Sequence, residues 1–248
     1  MLREHTKLLA DLMDLQVANT ILLGANLRKP EMNPIDYIYS SLGCRIQPMV
    51  EDDPVTQFIL TNIHASAPTA RINGVFRVSR EGEDQRLKAL GMPNHHLLWH
   101  GSSMSNFISI LSRGLLVTPP EVPWTGHLFG EGIYFADTFV KSANYCHNHS
   151  NKSTCKVMLL CEVALGNPKV DIKHGDEDHL DDDINSLKIL GSNAPIQDFD
   201  ALLPFGATLS LGQVQPMKYH PPARITHNEY IIHNADQVAI RFLVLFNG

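Results

Sequence analysis

The feature that most constrains the fold of this chain is a run at residues 156–165, KVMLLCEVAL, which is apolar except for Lys156 and Glu162. A strand-length run without polar alternation is typical of a strand that is buried on both faces. The predicted strands are Ile72–Val78, Leu97–His100, Lys156–Leu165, Glu229–His233 and Val238–Phe246. Because these strands do not alternate strictly with helices, the sequence favours an α+β fold over a doubly wound α/β sheet.

Short helices are predicted between the strands. Met104–Ser112 follows two serines, either of which can cap a helix, and Gly114 supplies a stop. Thr138–Cys146 is the second short helix, with Asp137 as its expected cap.

The first part of the chain has a helical pattern instead. Its apolar stripe predicts a long helix that ends near Gly24–Asn26. The residues of this stripe are Leu8, Leu12, Leu15, Ala18 and Leu22. A second helix is predicted at Val55–Ala65, because Asp53 can cap it and Pro54 suits its first position. Between the helices, Leu42–Ile46 is expected to be a loop or a strand. The change of pattern divides the chain into residues 1–68 and 69–248.

Composition and charge exclude several functional classes. The net charge of −6 and the pI near 6.1 argue against direct nucleic-acid binding, which needs clustered Lys and Arg. No apolar stretch approaches the roughly 18 residues of a membrane span, and the N-terminus lacks a signal-peptide pattern. The 4 cysteines form no CxxC pair, so free thiols in a reducing compartment are expected.

Four short blocks combine polar or aromatic groups with glycine or with strand-forming residues. They are LLWHGS at 97–102, GEGIYFAD at 130–137, KSANYC at 141–146 and NEYII at 228–232. Ligand pockets are built in this way, from strand ends and from close backbone approach. The pair Gly130 and Gly132 also invites a Rossmann interpretation, but Phe135 stands where that motif needs a small residue and a helix start.

In this order, with His100, Tyr134 and Glu229 as their polar members, the blocks resemble the His-Tyr-Glu motif of poly(ADP-ribose) polymerase catalytic domains. The resemblance extends from about Pro34 to the C-terminus. The motifs EVALGN at 162–167 and REGEDQR at 80–86 add to it. It implies an ADP-ribosyltransferase fold of the diphtheria-toxin type, with mixed and mostly antiparallel sheets. It also implies that residues 1–68 are part of an α-helical regulatory domain and that residues 69–248 form the catalytic domain.

The same resemblance implies a function. The expected enzyme transfers ADP-ribose from NAD to protein acceptors and to growing chains, with release of nicotinamide, in the DNA damage response. NAD is consumed as a substrate, automodification is a possible acceptor reaction, and no metal is required. DNA or partner sensing is expected outside this chain, and the location implied is nuclear. Two alternatives remain open: a mono-ADP-ribosyltransferase, and a pseudoenzyme scaffold that binds NAD or ADP-ribose.

The resemblance also implies the residues of the pocket. The catalytic residues it implies are His100, Tyr134, Lys141 and Glu229. The NAD-binding residues it implies are His100, Gly101, Ser102, Asn106, Tyr134, Phe135, Ala136, Ser142 and Tyr145.

These residues have different expected roles. Gly101 and Ser142 are expected to bind the carboxamide of nicotinamide, and Tyr145, three residues after Ser142, to stack on its ring. His100 is expected to bind the adenosine ribose. Glu229 is expected to orient the nicotinamide ribose and to polarise an acceptor hydroxyl, and it favours polymerase over mono-transferase activity.

Some positions depart from the best-known nuclear members. In the loop Leu116–Gly130 and just after it, Leu116 and Glu131 stand where those members carry basic residues, and His127 stands where they carry tyrosine. Weaker or altered binding of the adenosine and pyrophosphate parts of NAD is expected. His227 replaces an aromatic residue on the acceptor side, which bears on branching and chain length.

Two clusters contain residue types that bind metals. Cys146, His147 and His149 are potential zinc ligands, but their spacing is too tight for a familiar site. A fourth ligand is not evident nearby in the sequence, although Cys155 or Cys161 could approach. The acidic run Asp176–Asp183 lacks the glycine and the terminal glutamate of an EF-hand loop, so it is interpreted as a solvated loop. We therefore predict that the chain binds no metal.

Overall fold

The computed structural model describes residues 15–26, 32–117, 128–147, 154–171, 183–219 and 223–247. Its α-helices are α1 (within 15–26), α2 (Pro34–Ser41), α3 (Pro54–Ser66), α4 (Glu83–Ala89), α5 (Phe107–Arg113) and α6 (Phe139–Ala143). Short 3-10 helices cover Met104–Asn106, Gln197–Phe199 and Ala235–Gln237.

The strands of the described residues form two main sheets and one small pair. They are β1 (Cys44–Pro48), β2 (Arg71–Arg80), β3 (His95–Gly101), β4 (Ile133–Phe135), β5 (Cys155–Ala164), β6 (Pro168–Asp171), β7 (Ser186–Ile189), β8 (Asn193–Pro195), β9 (Asp200–Leu202), β10 (Thr208–Ser210), β11 (Val214–Pro216), β12 (Glu229–Ile232) and β13 (Val238–Asn247). Each strand predicted from the sequence is confirmed, with ends shifted by a few residues.

Both main sheets are mixed and mostly antiparallel. The larger one has the strand order β1-β2-β13-β5-β3-β10-β9, and only its β3 and β10 are parallel neighbours. The smaller one has the order β4-β12-β7-β6, with β6 parallel to β7. Strands β8 and β11 form a separate antiparallel pair. The predicted α+β class is therefore confirmed.

The apolar run that constrains the fold lies in the middle of the larger sheet, as β5. Its side chains alternate between two cores, because successive residues of a strand point to opposite faces. Leu159 and Cys161 belong to one core, whereas Met158 and Leu160 belong to the other. Helix α3 covers the second core. Burial on both faces explains why β5 lacks polar alternation.

Helix α3 begins where the sequence predicts. The carboxylate of Asp53 accepts hydrogen bonds from the backbone N–H groups of Val55 at 2.8 Å and Thr56 at 3.3 Å, and Pro54 is the first helical residue. An N-cap of this kind satisfies amide groups that have no partner within the helix.

Two local predictions need correction. The helix predicted at Thr138–Cys146 is shorter, since α6 covers only Phe139–Ala143. The prediction that Asp137 caps it is wrong, because the Asp137 carboxylate bonds to side chains next to and on β12. Tyr145 therefore lies in a turn after α6.

The residues of α1 that are buried differ from the apolar stripe predicted for the N-terminal helix. Within α1, Ala18 is buried, whereas Leu15 and Leu22 are exposed. Gly24 of α1 lies so close to α2 that a β-carbon there would come within 2.5 Å of the Tyr37 hydroxyl oxygen. The α1 face that packs is therefore not the one with the large leucines. Leu8 and Leu12 lie outside the described residues.

A group of buried charges ties the larger sheet to α4 and α5, and we call it the sheet charge cluster: Arg80, Glu83, His95, Glu162 and Arg241. Glu162 accepts from His95 Nδ1 at 2.6 Å through one oxygen, and from Arg241 Nε at 2.6 Å through the other. Glu83 pairs with Arg80 and accepts from the backbone N–H of Ile240 at 2.9 Å. Arg80 and Glu83 lie in REGEDQR, and Glu162 lies in EVALGN, so these two motifs are explained by structural pairing.

Candidate active site

The four sequence blocks meet where β3 ends beside the segment that links β4 to α6. Ala136, just after β4, exchanges two backbone hydrogen bonds with Trp99 of β3, at 2.8 and 3.0 Å. This bridge places the residues after Trp99 next to those after Ala136. Strand β12 pairs with β4 on its other side. The motifs are therefore brought together by strand pairing and not by sequence proximity.

His100 has a defined tautomer. Its Nδ1 lies 2.9 Å from the carbonyl oxygen of Tyr134, which can only accept, so Nδ1 carries the hydrogen. Burial lowers the pKa of His100, although the bond to Tyr134 opposes that effect. The neutral ring then offers Nε2 as a hydrogen-bond acceptor. Its plane is tilted against Phe135, with ring centroids 5.6 Å apart.

Gly101 is required by helix α6. A β-carbon at this position would lie 2.0 Å from the carbonyl oxygen of Ser142 and 3.2 Å from Cys146 Sγ. Close packing of two protein segments therefore accounts for glycine at this position, and the expected contact of Gly101 with the nicotinamide carboxamide stays a prediction. The Ser142 hydroxyl is buried and donates to the carbonyl oxygen of Trp99 at 3.0 Å.

Glu229 forms a buried ion pair with Lys141 of α6. Its side chain is 8% exposed, and the side chain of Lys141 is 19% exposed. Burial alone lowers the pKa of Lys141, but the hydrogen bond and the negative charge of Glu229 outweigh this and raise it. Lys141 Nζ also lies 5.5 Å from the ring centroid of Tyr145, whose ring is exposed. A carboxylate, an ammonium and an exposed aromatic ring thus meet at one place.

The hydroxyl of Tyr134 forms hydrogen bonds with backbone groups of the protein itself. It donates to the carbonyl oxygen of Gly130 at 2.6 Å and accepts from the backbone N–H of Phe129 at 3.1 Å. Burial raises the pKa of Tyr134, and the charges of Glu229 and Tyr145 raise it further. These electrostatic effects indicate that the three side chains are neighbours. Tyr134 can therefore present its ring to a ligand while its hydroxyl fixes the loop.

The remaining predicted residues fall into two groups. Ser102 Oγ accepts from Asn106 Nδ2 at 3.1 Å at the start of the turn that leads into α5. The side chains of Phe135 and Ala136 are each only 2% exposed. Both pack in the interior, and their ligand-binding roles stay predictions.

One group in the site has no counterpart among the residues predicted from the sequence, and we call it the Asp137 cluster: Asp137, Asn228 and Tyr230. Asp137 Oδ2 accepts from Asn228 Nδ2 at 2.7 Å and from the Tyr230 hydroxyl at 3.1 Å. No donor among the described residues reaches its buried Oδ1. Burial raises the pKa of Asp137 to about 6, although Asn228, Lys188 and Tyr230 oppose that rise. The block GEGIYFAD contains Asp137, but its sequence does not show which partners it meets.

Some predictions concern residues that lie outside the described ranges. These include His127, most of the acidic run Asp176–Asp183, and His149 of the potential zinc cluster. Within the described ranges, no group of three or more His, Cys, Asp or Glu side chains is arranged to hold a metal ion. Cys146 lies against the carbonyl oxygen of Ser142, and burial raises the pKa of its thiol to about 11. The four cysteines are free thiols, as predicted.

Comparison with known families identifies the family to which the chain belongs. A family model of the poly(ADP-ribose) polymerase catalytic domain matches residues 55–247. The chain belongs to this family. This confirms the resemblance drawn from the sequence blocks, and with it the expected fold and the enzyme class, an NAD-dependent ADP-ribosyltransferase.

Several full-length relatives are similar to this domain. It is 36% identical over 250 residues to poly [ADP-ribose] polymerase 1 of Danio rerio, which covers 98% of the chain and 24% of the relative. It is 37% identical over 263 residues to poly [ADP-ribose] polymerase 2 of Homo sapiens, covering 98% and 42%. For poly [ADP-ribose] polymerase 2 of Zea mays the identity is 38% over 231 residues, covering 87% and 34%. The chain spans less than half the length of each of these relatives.

In the described part of this poly(ADP-ribose) polymerase domain, none of the helices combines the length and the apolar character that a membrane crossing needs.

Proposed function

We propose that this domain binds NAD beside the Lys141–Glu229 pair, breaks the bond between nicotinamide and ribose, and transfers ADP-ribose to protein acceptors and to growing chains. The observation that carries the proposal is the buried carboxylate of Glu229, held by Lys141 next to the exposed ring of Tyr145. A carboxylate in this position suits a reaction in which positive charge develops on a sugar.

The reaction requires separate groups for binding and for charge stabilisation. When the C–N bond breaks, its electron pair leaves with nicotinamide and the ribose becomes oxocarbenium-like. The acceptor oxygen then forms the new C–O bond and loses its proton. Glu229 is the group proposed to orient the ribose, to stabilise the positive charge and to take up that proton.

Lys141 is proposed to act on Glu229 in the free enzyme. Its ammonium group pairs with the carboxylate and orients it before NAD binds. Tyr145 is proposed to stack on nicotinamide, since its ring is 42% exposed in spite of its large apolar area. Tyr134 is proposed as the opposite wall.

The adenosine side is proposed to be held by His100 and its neighbours. The unprotonated Nε2 of His100 can accept a hydrogen bond from a ribose hydroxyl, because Nδ1–H is already bonded to Tyr134. Ser102 and Asn106, which bond to each other, are proposed to line this side. The backbone N–H and C=O of Gly101 and the hydroxyl of Ser142 are proposed to bind the carboxamide, with Ser142 exchanging its bond to Trp99 for a bond to the ligand.

The cellular setting is also a proposal. We propose a nuclear enzyme of the DNA damage response, as the family resemblance implies, with DNA sensing in regions outside this sequence. The division into a partial helical regulatory segment at 1–68 and a catalytic domain at 69–248 stays a prediction. The structure places β1 in the larger sheet and α3 against one of its cores, so both elements are in direct contact with the catalytic sheet.

The test is incubation of the purified domain with labelled NAD, reading nicotinamide release and product length together. Wild type is expected to give a ladder of polymer, and Glu229→Gln to give single additions, free ADP-ribose or no product. Glu51→Gln, at an exposed glutamate, is the matched control and should behave as wild type. Single additions from wild type would instead favour a mono-transferase. Binding of NAD without turnover would favour a scaffold.

A further inference from the structure

Asp137 bonds to the two residues that flank Glu229 in the sequence. It follows the Ala136 bridge, precedes α6 and is 6% exposed. Its Oδ2 accepts from Asn228 at 2.7 Å and from Tyr230 at 3.1 Å. One buried oxygen therefore holds the chain on both sides of Glu229.

The side chain of Glu229 points away from that contact. Tyr230 packs in the large core, whereas Ile231 packs in a separate cluster with Phe129 and Tyr134. Because strand side chains alternate, Glu229 shares the face of Ile231, and there it meets Lys141. Asp137 therefore acts from the opposite face of β12 and has no need to touch the reacting atoms.

The orientation of the Asn228 amide is set independently. Asn228 Oδ1 accepts from the backbone N–H of Gly191 at 2.9 Å, so its NH2 group faces Asp137. Gly191 itself is packed against the backbone of His227, where a β-carbon would meet the His227 carbonyl carbon at 2.3 Å. The start of β12 is thus held between the residues after β7 and the carboxylate of Asp137.

Packing alone does not require a charge at position 137. An asparagine has the same shape and can accept both hydrogen bonds through its single oxygen. A buried carboxylate is costly, and no described donor compensates its Oδ1. A charged acceptor, however, makes stronger bonds to both donors than a neutral one. The negative charge of Asp137 therefore strengthens the hydrogen bonds that fix Asn228 and Tyr230.

We propose that Asp137 is a positioning residue, which fixes Asn228 and Tyr230 and so aims the carboxylate of Glu229 from the other face of β12. This inference rests on the proposed function, because it concerns the efficiency of the step that Glu229 carries out. It predicts effects on kcat and little effect on the KM for NAD or on folding.

The test is an exchange of the two partners. Asp137→Asn should lower kcat by about three- to tenfold, because both bonds weaken but persist. Asn228→Asp should lower kcat much further, because two carboxylates then face each other. Combining the two changes restores one donor and one acceptor between the positions, and should recover kcat by about tenfold over Asn228→Asp alone. The KM for NAD should stay within about threefold of wild type in all three variants.

Thermal unfolding separates this role from a structural one. Asp137→Asn should have a Tm equal to or above that of wild type while its kcat is lower. If Asn228→Asp does not fold, Tyr230→Phe replaces it: removing this hydroxyl should lower kcat in wild type and have a smaller effect in the Asp137→Asn background.

Each outcome decides the proposal. Recovery of kcat in the double variant, or the smaller Tyr230→Phe effect, supports it. An unchanged kcat in Asp137→Asn, absence of recovery, or kcat losses that only follow losses of Tm would overturn it, with the proposed function intact. If wild type in the same assay releases no nicotinamide, the proposed function itself has failed, and this inference fails with it.

Discussion

The two buried polar clusters of this domain differ in how completely they are paired. In the sheet charge cluster, both oxygens of Glu162 and both oxygens of Glu83 have donors. In the Asp137 cluster, Oδ1 of the carboxylate has none within the part of the chain that is described. The carboxylate residues themselves are similarly buried, since Glu83, Glu162 and Asp137 are each 6% exposed or less, so for these groups the difference lies in their partners.

We interpret the fully paired sheet charge cluster as structural and the incompletely paired Asp137 cluster as functional. A fully paired buried network rigidifies a fold, and breaking it leaves an uncompensated charge. A buried group with an unused oxygen is costly to stability, and natural proteins retain such groups mainly at functional sites. The predictions that follow test this contrast.

The largest effect on stability is expected in the sheet charge cluster. Glu162→Gln removes the negative charge between His95 and Arg241, which leaves a buried guanidinium without its full partner. We expect a loss of about 3–5 kcal/mol in the free energy of unfolding, measured by urea denaturation at pH 7.5. A loss below about 1 kcal/mol would mean that this cluster is not structural.

Asp137→Asn is expected to raise the free energy of unfolding, whereas Glu162→Gln lowers it. The pKa of Asp137 is raised from 3.8 to about 6 in the folded protein. Protonation therefore stabilises the fold below pH 4, and this contribution is lost as the pH rises through 6. Removing the charge should stabilise the domain at pH 7.5 by up to about 3 kcal/mol, with no difference from wild type below pH 4.

Several groups that face Asp137 affect its pKa or have their own pKa affected by its charge, so the pH experiment needs a control. Lys188, Asn228 and Tyr230 lower its pKa, and Tyr219 and Tyr230 have pKa values raised in part by its charge. Asp198→Asn, at an exposed carboxylate, is the control and should show no such pH dependence. A pH-independent difference for Asp137→Asn would contradict the raised pKa.

Lys141→Gln tests the ion pair at the site. We expect kcat to fall about tenfold, because the charge that orients Glu229 is lost, and the free energy of unfolding to fall as well, because the buried carboxylate of Glu229 loses its charged partner. Lys141→Arg keeps the charge and should retain more activity. Equal losses in both variants would show that the length of the side chain matters and its charge does not.

The smallest effect is expected at the exposed border of the sheet charge cluster. Asp84 pairs with Arg241 at 2.5 Å, but its side chain is 47% exposed. Asp84→Asn should cost less than about 1 kcal/mol, because solvent screens the pair. Chemical denaturation of this variant beside Glu162→Gln would sharpen the contrast, and similar losses in both would contradict it.

Local sequence rules predicted the parts of the fold that depend on local chemistry. The double-sided burial of β5 follows from its apolar run, and the start of α3 follows from Asp53 and Pro54. Motif resemblance found Glu229 and Lys141, which the structure then joins in one ion pair.

The sequence could not predict contacts that depend on distant pairing. Asp137 satisfies the rule for a helix cap, but the pairing of β4 with β12 brings Asn228 and Tyr230 within its reach, and its carboxylate bonds to these two side chains instead. The contact between Gly101 and the carbonyl of Ser142 in α6, which excludes a side chain at position 101, likewise depends on residues far apart in the sequence. In α1, the predicted stripe included Leu15 and Leu22, but both leucines are exposed and Gly24 lies against Tyr37 of α2.

The most direct test of the account compares Glu229→Gln with Glu162→Gln in one experiment, measuring Tm and nicotinamide release from NAD for each. We predict that Glu229→Gln loses turnover by about 100-fold or more and loses less in Tm than Glu162→Gln, because Glu229 has one charged partner whereas Glu162 lies between His95 and Arg241. A Glu229→Gln variant that loses as much in Tm as Glu162→Gln, or one that releases nicotinamide at the wild-type rate, would contradict this account.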